Sequence, residues 1–150
     1  MMTVQITCPE CGSGIHIYPS QEAKLAECDI CKHSVDVHFT PDHMQSHLVD
    51  CAKCGRKDFF IQKDFNRKIG VTLFVLASIA AIFTYGLSFI VLYAADFFLF
   101  KKLKYVACCY KCNTLYRRVE NIEQIYPFNH EMHDRIVYSG HDFQGKPLHH

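Results

Sequence analysis

The dominant feature of the hydropathy pattern is "IGVTLFVLASIAAIFTYGLSFIVLYAADFFLF", residues 69–100. Ile69 to Ala95 carries no charged residue, and Asp96 is the only one in the run. An apolar stretch of this length predicts insertion into a bilayer, because water-soluble domains rarely carry one. As one straight helix it would measure about 48 Å, against a hydrocarbon core of about 30 Å. Divided at "TYGLS" (84–88), with Gly86 as the turn residue, it gives two arms of about 22 and 18 Å. Phe65 and Asn66 extend the first arm and Lys101 to Tyr105 extend the second. Length alone leaves one span and two spans open.

Outside this run the periods are short. "GIHIYP", "SVDVHF", "DFFIQ" and "LYRRV" are brief β-prone runs, the first two with clear alternation. A helix is predicted near the C-terminus in "PFNHEMHDRIVYSG". Asn129 caps it, Gly140 stops it, and Met132, Ile136 and Tyr138 form a modest apolar stripe. The tail after it, "GHDFQGKPLHH", has little to bury and is expected to be mobile.

Charge changes the picture of the apolar run. Lys63, Arg67 and Lys68 precede it, Lys101, Lys102 and Lys104 follow it, and the central turn has no charge. By the positive-inside rule both flanks lie in the cytoplasm at the lipid interface, which predicts a hairpin of two spans. The net charge is +1, so no basic excess suggests a duplex-binding surface.

Cysteine supplies the chemistry. The chain has nine, and eight of them form C-x-x-C knuckles at Cys8/Cys11, Cys28/Cys31, Cys51/Cys54 and Cys109/Cys112. "MMTVQITCPEC" shows no basic region followed by an apolar one, so no cleaved export signal is expected. C-x-x-C pairs in a reducing compartment point to metal rather than disulfides. Cys108 is left over as a free, partly buried thiol. Each knuckle leads into a β-prone run, which is the plan of a zinc ribbon: paired knuckles share one ion, and the ion supplies stability that so small a core lacks.

Sequential pairing gives one four-cysteine site from Cys8, Cys11, Cys28 and Cys31, and a second from Cys51, Cys54, Cys109 and Cys112. The second site requires its four sulfurs to lie within about 4 Å of one another. A single span would put its halves on opposite sides of the membrane, so the metal and the flanking charges both call for a hairpin. An interleaved pairing, Cys28/Cys31 with Cys51/Cys54 and Cys8/Cys11 with Cys109/Cys112, remains open. Two zinc ions are expected, with iron as the alternative metal, since thiolate knuckles bind either.

The expected fold is therefore α+β: small zinc-ribbon β domains plus a transmembrane α-helical hairpin. Residues 1–39 form the first ribbon and 40–50 a linker. Segments 51–64 and 105–120 form the second ribbon, split by a hairpin over 65–104. A juxtamembrane helix over 121–139 and a flexible tail over 140–150 complete the chain.

The "CPEC…CDIC" framing over residues 6–38 resembles the small zinc ribbon of the amino-group carrier proteins. That resemblance implies fold and metal only. Those carriers use an acidic C-terminal tail, whereas this chain ends "GKPLHH". The wider arrangement resembles small bacterial zinc-ribbon membrane proteins of no assigned activity. It rests on "FNRKIG", "TYGLSF", "CYKCNTLYR" and "PFNHEMHD", spans roughly residues 51–135, and implies architecture alone.

Other residues offer weaker chemistry. His43 and His47 have i, i+4 spacing but lack the glutamate of a metalloprotease helix, and read as solvated linker histidines. His130 and His133, with Glu131, are a weak second metal candidate, set against a helix that packs on the second ribbon or on headgroups. Asp96 reads as an interfacial acid within reach of Lys101 or Arg67. Ser78, Thr84 and Ser88 could bond across the hairpin. Lys111, Arg117 and Arg118 beside Tyr110 and Tyr116 form a small basic, stackable patch, which more simply faces anionic lipid than nucleic acid. No nucleophile–base set, phosphate loop or carboxylate pair is present. Three readings follow. The first is a non-enzymatic membrane adaptor or accessory subunit with a membrane or cytoplasmic protein partner. The others are a rubredoxin-like iron electron carrier and a nucleic-acid-binding ribbon.

Overall fold

The computed structural model describes residues 1–148 and divides into two units, Met1–Gln62 with Tyr105–His150, and Lys63–Lys104. The first unit is α+β and its sheets are antiparallel. Strands β1 (Thr3–Thr7) and β2 (Gly14–Ile17) flank the first knuckle, and β3 (Leu25–Glu27) and β4 (Ser34–Asp36) flank the second. Strand β5 (Phe59–Lys63) follows the third knuckle, while β6 (Tyr105–Cys109) and β7 (Leu115–Arg117) flank the fourth. The first, second and fourth knuckles are thus hairpin turns, and the runs that follow them are the second strands of those hairpins; the third knuckle has no strand before it, and β5 lies beside β6 instead.

The ribbons are not separate domains. Five strands form one sheet in the order β2-β1-β7-β6-β5, while β3 and β4 pair by themselves. The join is β1 against β7, with Val4 opposite Tyr116 and Gln5 opposite Leu115. Alternation explains why it holds. Val4 and Ile6 are buried on one face beside Ile15, Ala107 and Tyr116. On the same pair of strands the Arg117 guanidinium donates to Gln5 Oε1 at 2.6 Å. The boundary expected near residue 39 falls inside this shared core, which also takes in Met2, Val37, Leu48 and Val119.

The linker is built in as well. Helix α1 (Pro41–Met44) is a single turn capped at Thr40, so His47 falls beyond it and the pair does not share a helix face. His43 is fully buried, contrary to the expectation of a solvated residue. Its Nδ1 accepts from the Thr40 amide at 3.0 Å, and its Nε2 donates to the Asp50 carbonyl at 2.7 Å. That pattern defines the neutral tautomer protonated at Nε2.

Helix α4 (His130–Ser139) begins and ends at the expected Asn129 and Gly140 caps, but the helix expected from residue 121 does not extend that far: before Asn129 there is only a 3-10 turn at Ile122–Gln124. Asn129 Oδ1 accepts from the Glu131 and Met132 amides, and Gly140 ends the helix at φ +66°. Met132 and Ile136 pack with Phe60, Cys108 and Tyr110 in a second core, so the helix lies on the second ribbon; Tyr138 is exposed. The tail expected to be mobile is tied down. Asp58, fully buried, accepts from the Phe143 amide at 3.2 Å and the Gly145 amide at 2.9 Å. Arg56 donates to the carbonyls of Gly140 and His141. Residues 149–150 of that tail lie outside the described residues.

The second unit is a pair of helices, α2 (Arg67–Thr84) and α3 (Leu87–Lys102), joined at Tyr85 and Gly86. Both joining residues are left-handed, with φ +50° and +87°, and Gly86 supplies the expected turn. Neither helix has a buried residue. By length and composition one of them, α2, is apolar and long enough to cross a membrane; α3, at 16 residues, is shorter. Of the three hydroxyls expected to bridge the arms, Ser78 bonds back to its own helix at Phe74. Thr84 does likewise at Ala80 while also accepting from the Ser88 amide. Ser88 Oγ reaches the Ala77 carbonyl across the pair at 2.9 Å. The base is closed by the Asp64 amide on the Lys104 carbonyl at 3.0 Å.

Candidate metal centres

The four knuckles share one backbone design. In each, the amide of the first cysteine donates to the carbonyl five residues on: Cys8 to Ser13, Cys28 to His33, Cys51 to Arg56, and Cys109 to Thr114, at 2.8–3.1 Å. The residue after the second cysteine donates back to the first cysteine's carbonyl, from Gly12, Lys32, Gly55 and Asn113. All four of those residues are left-handed, at φ +72°, +60°, +71° and +55°. Glycine takes this conformation without penalty; Asn takes it tolerably, and Lys at a cost of about 1 kcal/mol. A recurring geometry held against that cost is a site requirement.

The knuckles meet in two sets. Cys8, Cys11, Cys28 and Cys31 form one group and Cys51, Cys54, Cys109 and Cys112 the other, with all sulfurs of a group within 4.8 Å of one another. This is the sequential pairing; the interleaved one is not formed. The near sulfur pairs are Cys8–Cys31 at 3.5 Å, Cys11–Cys28 at 3.6 Å, Cys51–Cys112 at 3.4 Å and Cys54–Cys109 at 3.5 Å. A disulfide requires about 2.05 Å, and all nine cysteines are free. Sulfurs on a tetrahedral ion with bonds of about 2.3 Å stand roughly 3.8 Å apart, so each group fits one such ion.

Proton sharing within each group points the same way. The Cys28 thiol is pulled down to about 6 by the Cys31 amide, the Ser13 hydroxyl and the Ile30 amide. Cys31, against the pull of the His33 amide, is pushed up to about 12 by partial loss of water around its sulfur and by the sulfurs of Cys8, Cys11 and Cys28. In the second group Cys51 is pulled down to about 6, chiefly by Cys109. Cys109 itself is driven up by the sulfurs of Cys112, Cys51 and Cys54. Four close sulfurs cannot all ionise beside one another, and a dication removes that conflict by replacing the retained protons.

Hydroxyls complete each centre. Ser13 Oγ lies 2.9 Å from Cys11 Sγ and 3.1 Å from Cys28 Sγ. Thr114 Oγ1 is 3.1 Å from Cys112 Sγ. Tyr116 donates to Cys51 Sγ at 3.2 Å and accepts from the Ala52 amide at 2.9 Å. These groups fix ligand orientation and disperse thiolate charge. Sequence reasoning missed them, although Cys-x-Ser at 11/13 and Cys-x-Thr at 112/114 repeat the same spacing. The centres differ in exposure: Cys11 and Cys31 are exposed, whereas Cys54 and Cys112 are half-buried.

The remaining candidates do not converge. His130 and His133 both pack against the Phe128 ring, at centroid distances of 4.9 and 5.5 Å, and Glu131 is engaged by Arg135. Among the described residues the two cysteine groups are the only clusters of metal donors. The stackable patch is dismantled too: Tyr110 and Tyr116 are buried and Arg117 is held by Gln5. Cys108 is buried in the second core, where desolvation pushes its thiol up to about 12. Of the six cations expected at a lipid interface, Lys63 bonds the carbonyls of Phe100 and Leu103 and Lys101 lies over the Phe97 ring. Arg67, Lys68 and Lys102 belong to helix ends, and Lys104 follows α3. In comparisons with known proteins, no family model, no curated protein and no solved structure matches this chain.

Proposed function

We propose that this chain is a zinc-stabilised, membrane-anchored interaction or adaptor protein, a small accessory subunit of a membrane complex with no catalysis of its own. The observation that carries the reading is the closure of both centres. Each supplies four thiolates and so fills a tetrahedral ion, leaving no position for substrate or water. Such an ion holds a fold and does no chemistry, and zinc is the metal that suits it.

The anchor is the helical pair. At about 27 and 24 Å, α2 and α3 approach the hydrocarbon thickness and span it as a two-pass hairpin. The cationic flanks Lys63, Arg67, Lys68, Lys101, Lys102 and Lys104 favour, by the positive-inside rule, a topology with both termini and both ribbons in the cytoplasm at the bacterial inner membrane. The bilayer is then one partner. A membrane or cytoplasmic protein is the other, meeting the outer strand β2 or the helical surface.

A second reading, an iron electron carrier of the rubredoxin type, is favoured by one observation: two cysteines of the first centre, Cys11 and Cys31, are exposed residues. Purification in gentle detergent with metal analysis separates the two. Two zincs per chain and a stoichiometric co-purifying protein are expected. Iron, with visible absorption, puts the electron carrier first, and zinc without any stoichiometric partner overturns the adaptor.

A further inference from the structure

The two centres hold the same ligands in unlike surroundings. In the first, each near sulfur pair joins an exposed cysteine to a buried one, Cys31 to Cys8 at 3.5 Å and Cys11 to Cys28 at 3.6 Å. In the second, each pair joins a half-buried cysteine to a buried one, Cys112 to Cys51 and Cys54 to Cys109. The scaffolds differ in the same sense. The second knuckle is carried by β3 and β4, which pair only with each other. Side-chain packing at Ala26, Val35 and Val37 holds them to the shared core, not strand pairing. At the second centre both knuckles adjoin strands of one sheet, β5 after the third and β6 and β7 around the fourth, and the Tyr116 hydroxyl holds Cys51.

A sulfur–sulfur bond needs about 2.05 Å, so a near pair must close by about 1.5 Å to form one. The hairpin of β3 and β4 can make that shift and leave the five-stranded sheet intact, whereas at the second centre the same shift pulls on the sheet itself. Thiol oxidation follows exposure. We propose that the first centre is a site of reversible oxidation by a hydroperoxide, and that the second centre is not. The thiolate of an exposed cysteine, Cys11 or Cys31, attacks one peroxide oxygen, forming a sulfenic acid and releasing hydroxide. The thiolate of its buried partner, Cys28 or Cys8, then attacks that sulfur and releases a second hydroxide as the disulfide forms. Two thiolates are oxidised, the peroxide bond takes their two electrons, and the first knuckle is bonded to the second. The centre is left with two free thiolates, too few to retain its ion. This site presupposes the zinc reading above.

The full chain is purified in gentle detergent, its metal is counted, and it is treated with hydrogen peroxide beside a chromogenic zinc chelator. At intervals the protein is denatured, free thiols are alkylated, and disulfides are mapped by peptide mass spectrometry. One ion per chain is expected to leave at least about tenfold faster than the other, with Cys8–Cys31 or Cys11–Cys28 bridged as it leaves. Over that interval Cys51, Cys54, Cys109 and Cys112 stay reduced, and dithiothreitol with added zinc restores the first centre. Equal release from both centres, earlier oxidation of the second, or a bridge inside one knuckle each overturns the site. So does zinc loss through sulfinic acids with no bridge, or retention of both ions at peroxide that oxidises free glutathione. The comparison lies within one chain and needs no ligand variant. Iron and visible absorption in the untreated protein defeat the zinc reading and the site together, whereas two zincs that leave together defeat the site alone.

Discussion

Tyr116 ties the two knuckle pairs, the linker and the second cysteine group together. It is fully buried, pairs with Val4 of the first ribbon and Ala107 of the second, and meets His43 and Phe59 with its ring. Its hydroxyl bridges Cys51 Sγ and the Ala52 amide, and burial drives its own ionisation far up. Tyr116→Phe keeps the ring and removes the bridge. It is expected to weaken metal binding at the second centre about 10- to 100-fold while leaving the first unchanged, as read by chelator competition on each centre. A uniform loss at both centres, or none, rejects the role. From sequence this tyrosine looked like a stacking platform, because an aromatic beside two arginines carries no mark of which face the sheet will bury. The ligands themselves were legible, since C-x-x-C spacing is fixed by the chemistry of the knuckle and survives any context.

Among the elements, the segment after residue 140 departs most from expectation. Its sequence has little to bury, and its order comes from outside itself, from the Asp58 carboxylate at the start of β5. Hydrogen bonds to a buried charged acceptor are worth about 1.5–3 kcal/mol each. Asp58→Ala leaves two amides unpaired and is expected to speed hydrogen exchange at Phe143 and Gly145 by at least about tenfold. Exchange elsewhere in β5 stays slow, and unchanged exchange at those two amides refutes the anchor. Nothing in "GRKDFF" distinguishes an anchor from an exposed acid. The α2–α3 pair was legible for the opposite reason: its turn is local, and Gly86 marks it. The caps of α4 are local as well, and both were found.

At the scale of the whole chain, the second centre draws its ligands from either side of the helical unit. Cys54→Ser and Cys112→Ser are therefore expected to release the same single ion and leave the first centre loaded, by metal counting on each variant. Release of two different ions rejects the shared site. The pairing was readable from the repeated knuckles, but the fusion of the ribbons was not, because strand pairing between β1 and β7 leaves no local trace. That pairing sets a chronology. Strand β1 leaves the ribosome well before its neighbour β7, which emerges only after both helices have been made, as the 112-residue separation of Gln5 and Arg117 measures. The first knuckle pair can capture its ion early, yet one flank of its sheet stays unpaired until the far side of the helical insert arrives. A chain whose helices go astray is thereby left with an open strand edge, a defect that quality-control proteases can recognise.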